Sequence, residues 1–215
     1  MLPDIKPEER AYIGSIFGKQ TENFLEQTRA FLTILLEENE KHNLIGENTV
    51  ATLWQRHILD SLQLTSYLTN STSEVIIDLG SGGGFPSIPL GIAMKTLGIN
   101  KHFILVEKSP VKAAFLRNTL TKLQLGGEIF NDVINKTNFQ TLISGKRAII
   151  TSRAFKSVAE ILAITKDFVE EIVLLKGEKW VEEIEEAQNK NLLGDWQFET
   201  AMSITGVGVV LWMYK

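Results

Sequence analysis

The chain reads as an α/β protein with a mostly parallel sheet, a helical region ahead of it and an antiparallel hairpin at the sheet edge. Three observations predict this. From residue 74 onward, short β-branched runs alternate with helical stretches. The run Val75–Leu79 leads into a glycine-rich turn, Gly80-Ser81-Gly82-Gly83-Gly84, the kind of βα junction where open α/β sheets bind nucleotides. Residues 196–204 and 207–214, joined through Gly206, read as a hairpin. The expected division is a helical region over residues 1–70 and a ligand-binding domain over residues 71–215.

The elements follow in order. Phe17, Phe24 and Phe31 recur every seven residues with Leu25, Leu32 and Leu35 beside them, which gives one long helix an apolar packing face. A second helix is predicted over residues 49–68, with Leu53, Trp54, His57, Ile58, Ser61 and Leu62 on a shared face. Asn70-Ser71-Thr72-Ser73 reads as a turn. After the first strand, Pro86 opens a helix to about Leu97. Pro89 is tolerated there because the first helical amides have no internal acceptor. Residues 103–107 form the second strand. Ser109 as N-cap and Pro110 at the first helical position start a helix to about Leu123. Strands at 128–130, 147–151 and 172–175 follow, with helices over 157–168 and 180–190 between and after the last two.

Composition narrows the function classes. At 215 residues, with 44% hydrophobic and 22% charged side chains, the chain has room for one α/β domain plus an appendage. The absence of cysteine excludes thiolate metal sites and a cysteine nucleophile, and no metal site is expected. No secretory pattern or membrane-length apolar run is present, so a cytoplasmic protein with no membrane partner is expected. Net charge is −4, but residues 157–200 hold eleven acids against four bases. The rest of the chain is therefore net positive, which permits a nucleic-acid partner without predicting one.

The turn itself selects its ligand. Asp78 stands two residues before Gly80, where a carboxylate repels a pyrophosphate and suits a cationic ligand. Gly80, Gly82 and Gly84 follow G-x-G-x-G, whereas a dinucleotide fingerprint needs glycine at Phe85. S-adenosylmethionine (SAM), with an ammonium, a sulfonium and no phosphate, fits best. Glu107 closes the second strand and suits a ribose diol. Arg153, at the end of the fourth strand, is a fixed cation at the sheet mouth. His57 lies three residues before Asp60, which can orient it. A SAM-dependent small-molecule methyltransferase and a non-catalytic SAM- or RNA-binding regulator share these features and compete as readings. A nicotinamide enzyme is the weakest rival.

Four segments carry a resemblance. Asp78-Leu79-Gly80-Ser81-Gly82-Gly83-Gly84-Phe85-Pro86-Ser87-Ile88-Pro89-Leu90, Arg56-His57-Ile58-Leu59-Asp60-Ser61-Leu62, Ser152-Arg153-Ala154-Phe155 and Leu175-Lys176-Gly177 occur in the order seen in one family. The chain resembles the bacterial small-subunit rRNA guanine-N7 methyltransferases, the RsmG family, also called glucose-inhibited division protein B. The resemblance implies a SAM-dependent methyltransferase (Rossmann-like) fold. It further implies methylation of N7 of a guanine (guanine 527, in the 530 loop) of 16S rRNA, whether as naked RNA, in the 30S subunit or in an assembly intermediate. Guanine N7 has no proton to lose, so no general base is needed, and a monomer is expected. By carry-over, Gly80 and Phe85 line the cofactor site and Arg153 contacts the cofactor end; with Asp78, Ser81, Gly82 and Glu107 from the turn and the second strand they make up the expected cofactor-binding set. The family's adenine-contact segment falls at Asn135-Lys136-Thr137, so Lys136 and Thr137 join that set, although Asn135 and Thr137 replace the usual Arg and Glu. Arg153, Asp60 and His57 are the expected catalytic group. Arg56, Lys156 and Lys176 are the expected RNA contacts, chosen as basic residues near these motifs.

Overall fold

A computed structural model describes residues 2–143 and 145–215. A seven-stranded sheet runs through the molecule. Its strands are β1 (Val75–Leu79), β2 (His102–Val106), β3 (Glu128–Phe130), β4 (Ala148–Arg153), β5 (Glu171–Lys176), β6 (Gln197–Met202) and β7 (Val209–Tyr214), in spatial order β3-β2-β1-β4-β5-β7-β6. β1 to β5 are parallel, while β7 pairs antiparallel with both β5 and β6. The expected parallel sheet with an antiparallel edge is present.

Strand periodicity sorts the core into two layers. Ile76, Phe103, Leu105, Ile149, Val173 and Leu175 face one way, toward the N-terminal helices and toward α5 (Ser87–Leu97) and α6 (Pro110–Leu123). Val75, Ile77, Leu79, Ile104, Ile150 and Leu174 face the other, toward α7 (Lys136–Ile143), α8 (Val158–Thr165) and α9 (Trp180–Asn189). All five residues of β1 are buried, as a central parallel strand covered on both faces requires. By the same alternation Asp78, Thr151 and Arg153 share the face of the N-terminal helices.

That N-terminal region departs from the expected pair of helices. The Phe17/Phe24/Phe31 stripe is divided between α1 (Pro7–Phe17) and α2 (Thr21–His42), because Gly18 takes φ 52° and turns the chain. Phe17 and Phe24 then stack across the break at 4.2 Å. The helix predicted over 49–68 is a succession of shorter pieces: a 3₁₀ segment Glu47–Thr52, a π-helical turn Trp54–Leu59, then α3 (Asp60–Leu62) and α4 (Thr65–Asn70). A π turn carries one residue more than an α turn and loosens the backbone bonding. Here the Arg56 carbonyl accepts from a side chain distant in sequence, and the His57 carbonyl accepts from the Ser61 hydroxyl. The Arg56 carbonyl thus ties this turn to β4.

Candidate active site

The strand order reverses between β1 and β4: β2 and β3 build outward on one side, β5 on the other. Loops leaving the C-terminal ends of β1 and β4 therefore part there and open a crevice. The turn after β1 forms one lip. Gly80, Gly82 and Gly84 hold φ of 77°, 55° and 89°, values glycine adopts without a steric cost. The Gly80 and Ser81 amides donate to the Val106 carbonyl at 2.9 and 3.0 Å, which ties the turn to the end of β2. Ser81 itself is buried, its hydroxyl donating to the Asp78 carbonyl.

Two carboxylates underpin this lip. Glu107 Oε2 accepts from the Gly82 amide at 2.9 Å and Oε1 from the Ser109 amide at 2.8 Å. Each oxygen keeps a lone pair for a further donor, such as a diol. Asn131, which sequence reasoning missed, donates to the Glu107 carbonyl at 2.8 Å and steadies the strand end. Its signal was its place one residue past β3, whose Phe130 pairs with Val106. Asp78 is fully buried beneath the turn. Ser87 donates to its Oδ2 at 2.8 Å, Oδ1 has no protein partner, and burial pushes the carboxyl up to about 7. A turn flanked by two carboxylates, one with an orphaned oxygen, fits a cationic, diol-bearing ligand such as SAM and does not fit a pyrophosphate.

Arg153 forms the facing lip. Nη1 donates to the Arg56 carbonyl at 2.8 Å, Nη2 lies 2.5 Å from His57 Nδ1, and Asp60 Oδ2 is 3.6 Å from Nη1. The guanidinium also lies 5.1 Å from the centroid of the Phe85 ring, a cation–π contact. Phe85 is buried among His57 and Phe31 rather than lying open on the turn. The structure thus brings Arg153, His57, Asp60 and Phe85 into one cluster with the turn beside it.

The protons in that cluster are assigned by chemistry. A guanidinium has donors only, so His57 Nδ1 accepts and the ring proton sits on Nε2. Nε2 is 3.0 Å from Thr49 Oγ1, which in turn donates to the Gly46 carbonyl at 2.7 Å. Burial, reinforced by Arg153 and Arg56, pushes the imidazole down to about 3, so His57 is neutral. Asp60 Oδ1 accepts from Gln63 Nε2 at 2.9 Å and from the Ser203 hydroxyl at 3.1 Å. Burial raises its carboxyl above the usual range, against the pull of Arg153 and these hydrogen bonds. Thr49, Gln63 and Ser203 were not legible as site residues: Thr49 and Ser203 reach His57 and Asp60 from other elements, and Gln63, three residues past Asp60, carries no signature of its own.

A cleft of about 870 Å³ opens beside the cluster, lined in part by Arg56, His57, Asp60, Arg153, Phe155 and Lys156. The glycine turn is not in its wall. Phe155 stands at the border, with its ring so close over Gly80 that a Cβ there would meet it at 2.4 Å. The turn and the cleft are therefore neighbouring compartments, one suited to a donor and the other to an acceptor.

The expected RNA-contacting cations differ in availability. Arg56 is exposed, and Lys156 is half-exposed beside Glu160. Lys176 is largely buried, 2.6 Å from Glu183 and donating to the Lys156 carbonyl at 2.9 Å, so its charge is spent inside the protein. Lys136 is paired with Asp167, and the Thr137 amide is capped by Asn135 Oδ1. Both belong to α7, a helix that the sequence pattern does not predict. Among the described residues no group of three His, Asp or Glu side chains can hold a metal, and no helix is long and apolar enough to cross a membrane.

Known proteins are similar to this chain in sequence and in fold. Residues 24–205 match the family described as rRNA small subunit methyltransferase G. A protein named ribosomal RNA small subunit methyltransferase G, from Rickettsia prowazekii (strain Madrid E), is 35% identical over 198 residues, covering 90% of this chain and 95% of that protein. Its counterpart in Dinoroseobacter shibae is 34% identical, covering 80% of this chain and 84% of that protein. Among solved structures, an O-methyltransferase from Bacillus cereus superposes with a TM-score of 0.57 at 13% identity, covering 86% of this chain and 91% of that one. A SAM-dependent methyltransferase from Aquifex aeolicus gives 0.50 at 14% identity, covering 74% and 91%. At such identities the structural likeness is one of fold.

Proposed function

Because the chain belongs to the rRNA small subunit methyltransferase G family, we propose that it methylates N7 of one guanine in 16S rRNA, in the 530 loop, using SAM. It acts as a monomer, in the cytoplasm, where its ribosomal substrate is found. SAM supplies the electrophilic methyl group. Asp78, Gly80, Ser81, Gly82 and Glu107 hold it at the glycine turn, with Glu107 taking the ribose hydroxyls.

The observation that carries this reading is Arg153, held by the Arg56 carbonyl, His57 and Asp60 on the wall between the turn and the cleft. Guanine N7 offers an in-plane lone pair and has no proton to lose. The chemistry needs an acceptor positioned in line with the methyl, and orientation of that kind is worth roughly 7–11 kcal/mol. A neutral His57 and an Asp60 hydrogen-bonded through Oδ1 suit such a task better than proton transfer. His57 orients Arg153, and Asp60 offsets its charge, so the wall does not repel the cation that forms on the purine. Arg56 and Lys156 meet phosphates at the cleft rim. Lys176 supports the rim from within through Glu183.

Labelled SAM and 30S subunits lacking the modification test the proposal, with reverse-transcription mapping of the product. Incorporation at one 530-loop guanine is expected, reduced at least about 100-fold in Arg153→Ala. SAM binding with no transfer to any ribosomal substrate overturns it.

A further inference from the structure

Resting on that reading, we propose that Phe155 is the surface on which the target purine stacks. Among the described residues, it contributes the only phenyl, phenol or indole ring lining the 870 Å³ cleft. The ring is only partly buried, so part of it faces that space. Its neighbours define a narrow zone. Arg153 precedes it by two residues, the Lys156 ammonium lies 5.8 Å from its centroid, and it crowds Gly80 on the donor side. An acceptor base lying on Phe155 therefore meets the donor compartment at its edge.

The backbone that presents the ring is strained. Ala154 holds φ 53°, a left-handed conformation unfavourable for a residue with a Cβ. The chain leaves β4, twists through Ala154 and brings the Phe155 ring onto Gly80. Strain kept at one residue of a loop beside a cleft points to a side chain whose direction matters.

Chemistry supplies the reason for a ring. Bases removed from their stack are held between aromatic and apolar side chains. N7 alkylation also makes the purine cationic as the methyl moves across. The face of a phenyl ring attracts a cation more than a neutral purine, so its contribution grows toward the transition state. Arg153 cannot provide this, being itself cationic.

Four variants and two readouts test the proposal: Phe155→Ala, →Leu, →Tyr and →Trp, each with SAM affinity by calorimetry and kcat/KM for undermodified 30S subunits. Phe155→Ala and Phe155→Leu are expected to lower kcat/KM about 10- to 100-fold, part of it in kcat, with SAM affinity within about threefold of wild type. Phe155→Tyr and Phe155→Trp should stay within about fivefold of wild type. Wild-type rates in Phe155→Leu overturn the proposal, because the side chain is then an apolar filler over Gly80. A loss of SAM affinity matching the loss of kcat/KM also overturns it, making the ring a wall of the donor site. A wild-type protein inactive on every ribosomal substrate overturns the functional reading itself, and this proposal with it.

Discussion

Burial of the Asp78 carboxyl outweighs the Ser87 hydrogen bond and the attraction of Arg153, and carries its pKa from 3.8 to about 7. A folded value above the unfolded one means that the native state holds the proton more tightly. The resulting stabilisation is complete below about pH 4 and is lost as pH rises through about 7. Asp78→Asn keeps a neutral side chain at every pH, so its stability relative to wild type should rise between about pH 4 and 7 and then level off. Urea midpoints of the two proteins across that range check this, and a pH-independent difference would refute it. At this scale the sequence was partly transparent. Asp78, Glu107 and Arg153 stand out because strand ends are recognisable from their neighbours. Their burial and partners are not, since Ser87 over Asp78 and Thr49 behind His57 arrive through tertiary folding.

Among the elements, the C-terminal hairpin contributes directly to the site. Its turn carries Ser203, which donates to Asp60, and Ile204, whose amide donates to Gln63 Oε1 at 2.6 Å. Gly208 makes that turn possible: it holds φ 80°, and a Cβ there would meet the Lys176 carbonyl at 2.0 Å. Gly208→Ala is expected to cost about 1–3 kcal/mol and to lower Tm by several degrees, with a parallel loss of methyl transfer as Ser203 shifts. Thermal unfolding and the 30S assay test both parts; an unchanged Tm would show that the turn tolerates a side chain. The hairpin was legible because Gly206 separates two β-prone runs. The pieces replacing the helix over 49–68 were not, because apolar spacing cannot show that Arg153 will claim the Arg56 carbonyl. Helix α7 also escaped, since its buried side chains are only Phe139 and Ile143 among polar neighbours.

For the molecule as a whole, charge and topology set how a polyanion approaches. The chain is net −4, and Glu182, Glu183 and Glu186 of α9 line part of the cleft, with Glu183 already paired to Lys176. RNA is therefore expected to enter over Arg56 and Lys156 and to avoid α9. Replacing both cations with alanine should reduce the magnitude of the salt slope of 30S binding by roughly 1–2, as loss of two phosphate contacts predicts. An unchanged slope would place the phosphate contacts elsewhere. The acidic α9 and the mostly parallel sheet were readable in advance. The packing of α1 and α2 on the same sheet face as Arg153 was not, as no local pattern records which face a remote helix will cover.

Arg56 joins these scales in a way that separates two kinds of variation. Its carbonyl, within the π turn, holds Arg153, whereas its side chain extends into solvent. The grip on Arg153 is written in the main chain and is indifferent to which side chain occupies position 56. Substrate preference can therefore drift at that position, by selection or by design, while the neighbouring machinery keeps its shape. The converse does not hold: a proline at 57 or a deletion within the turn changes the path of the backbone, and no choice of side chain restores it.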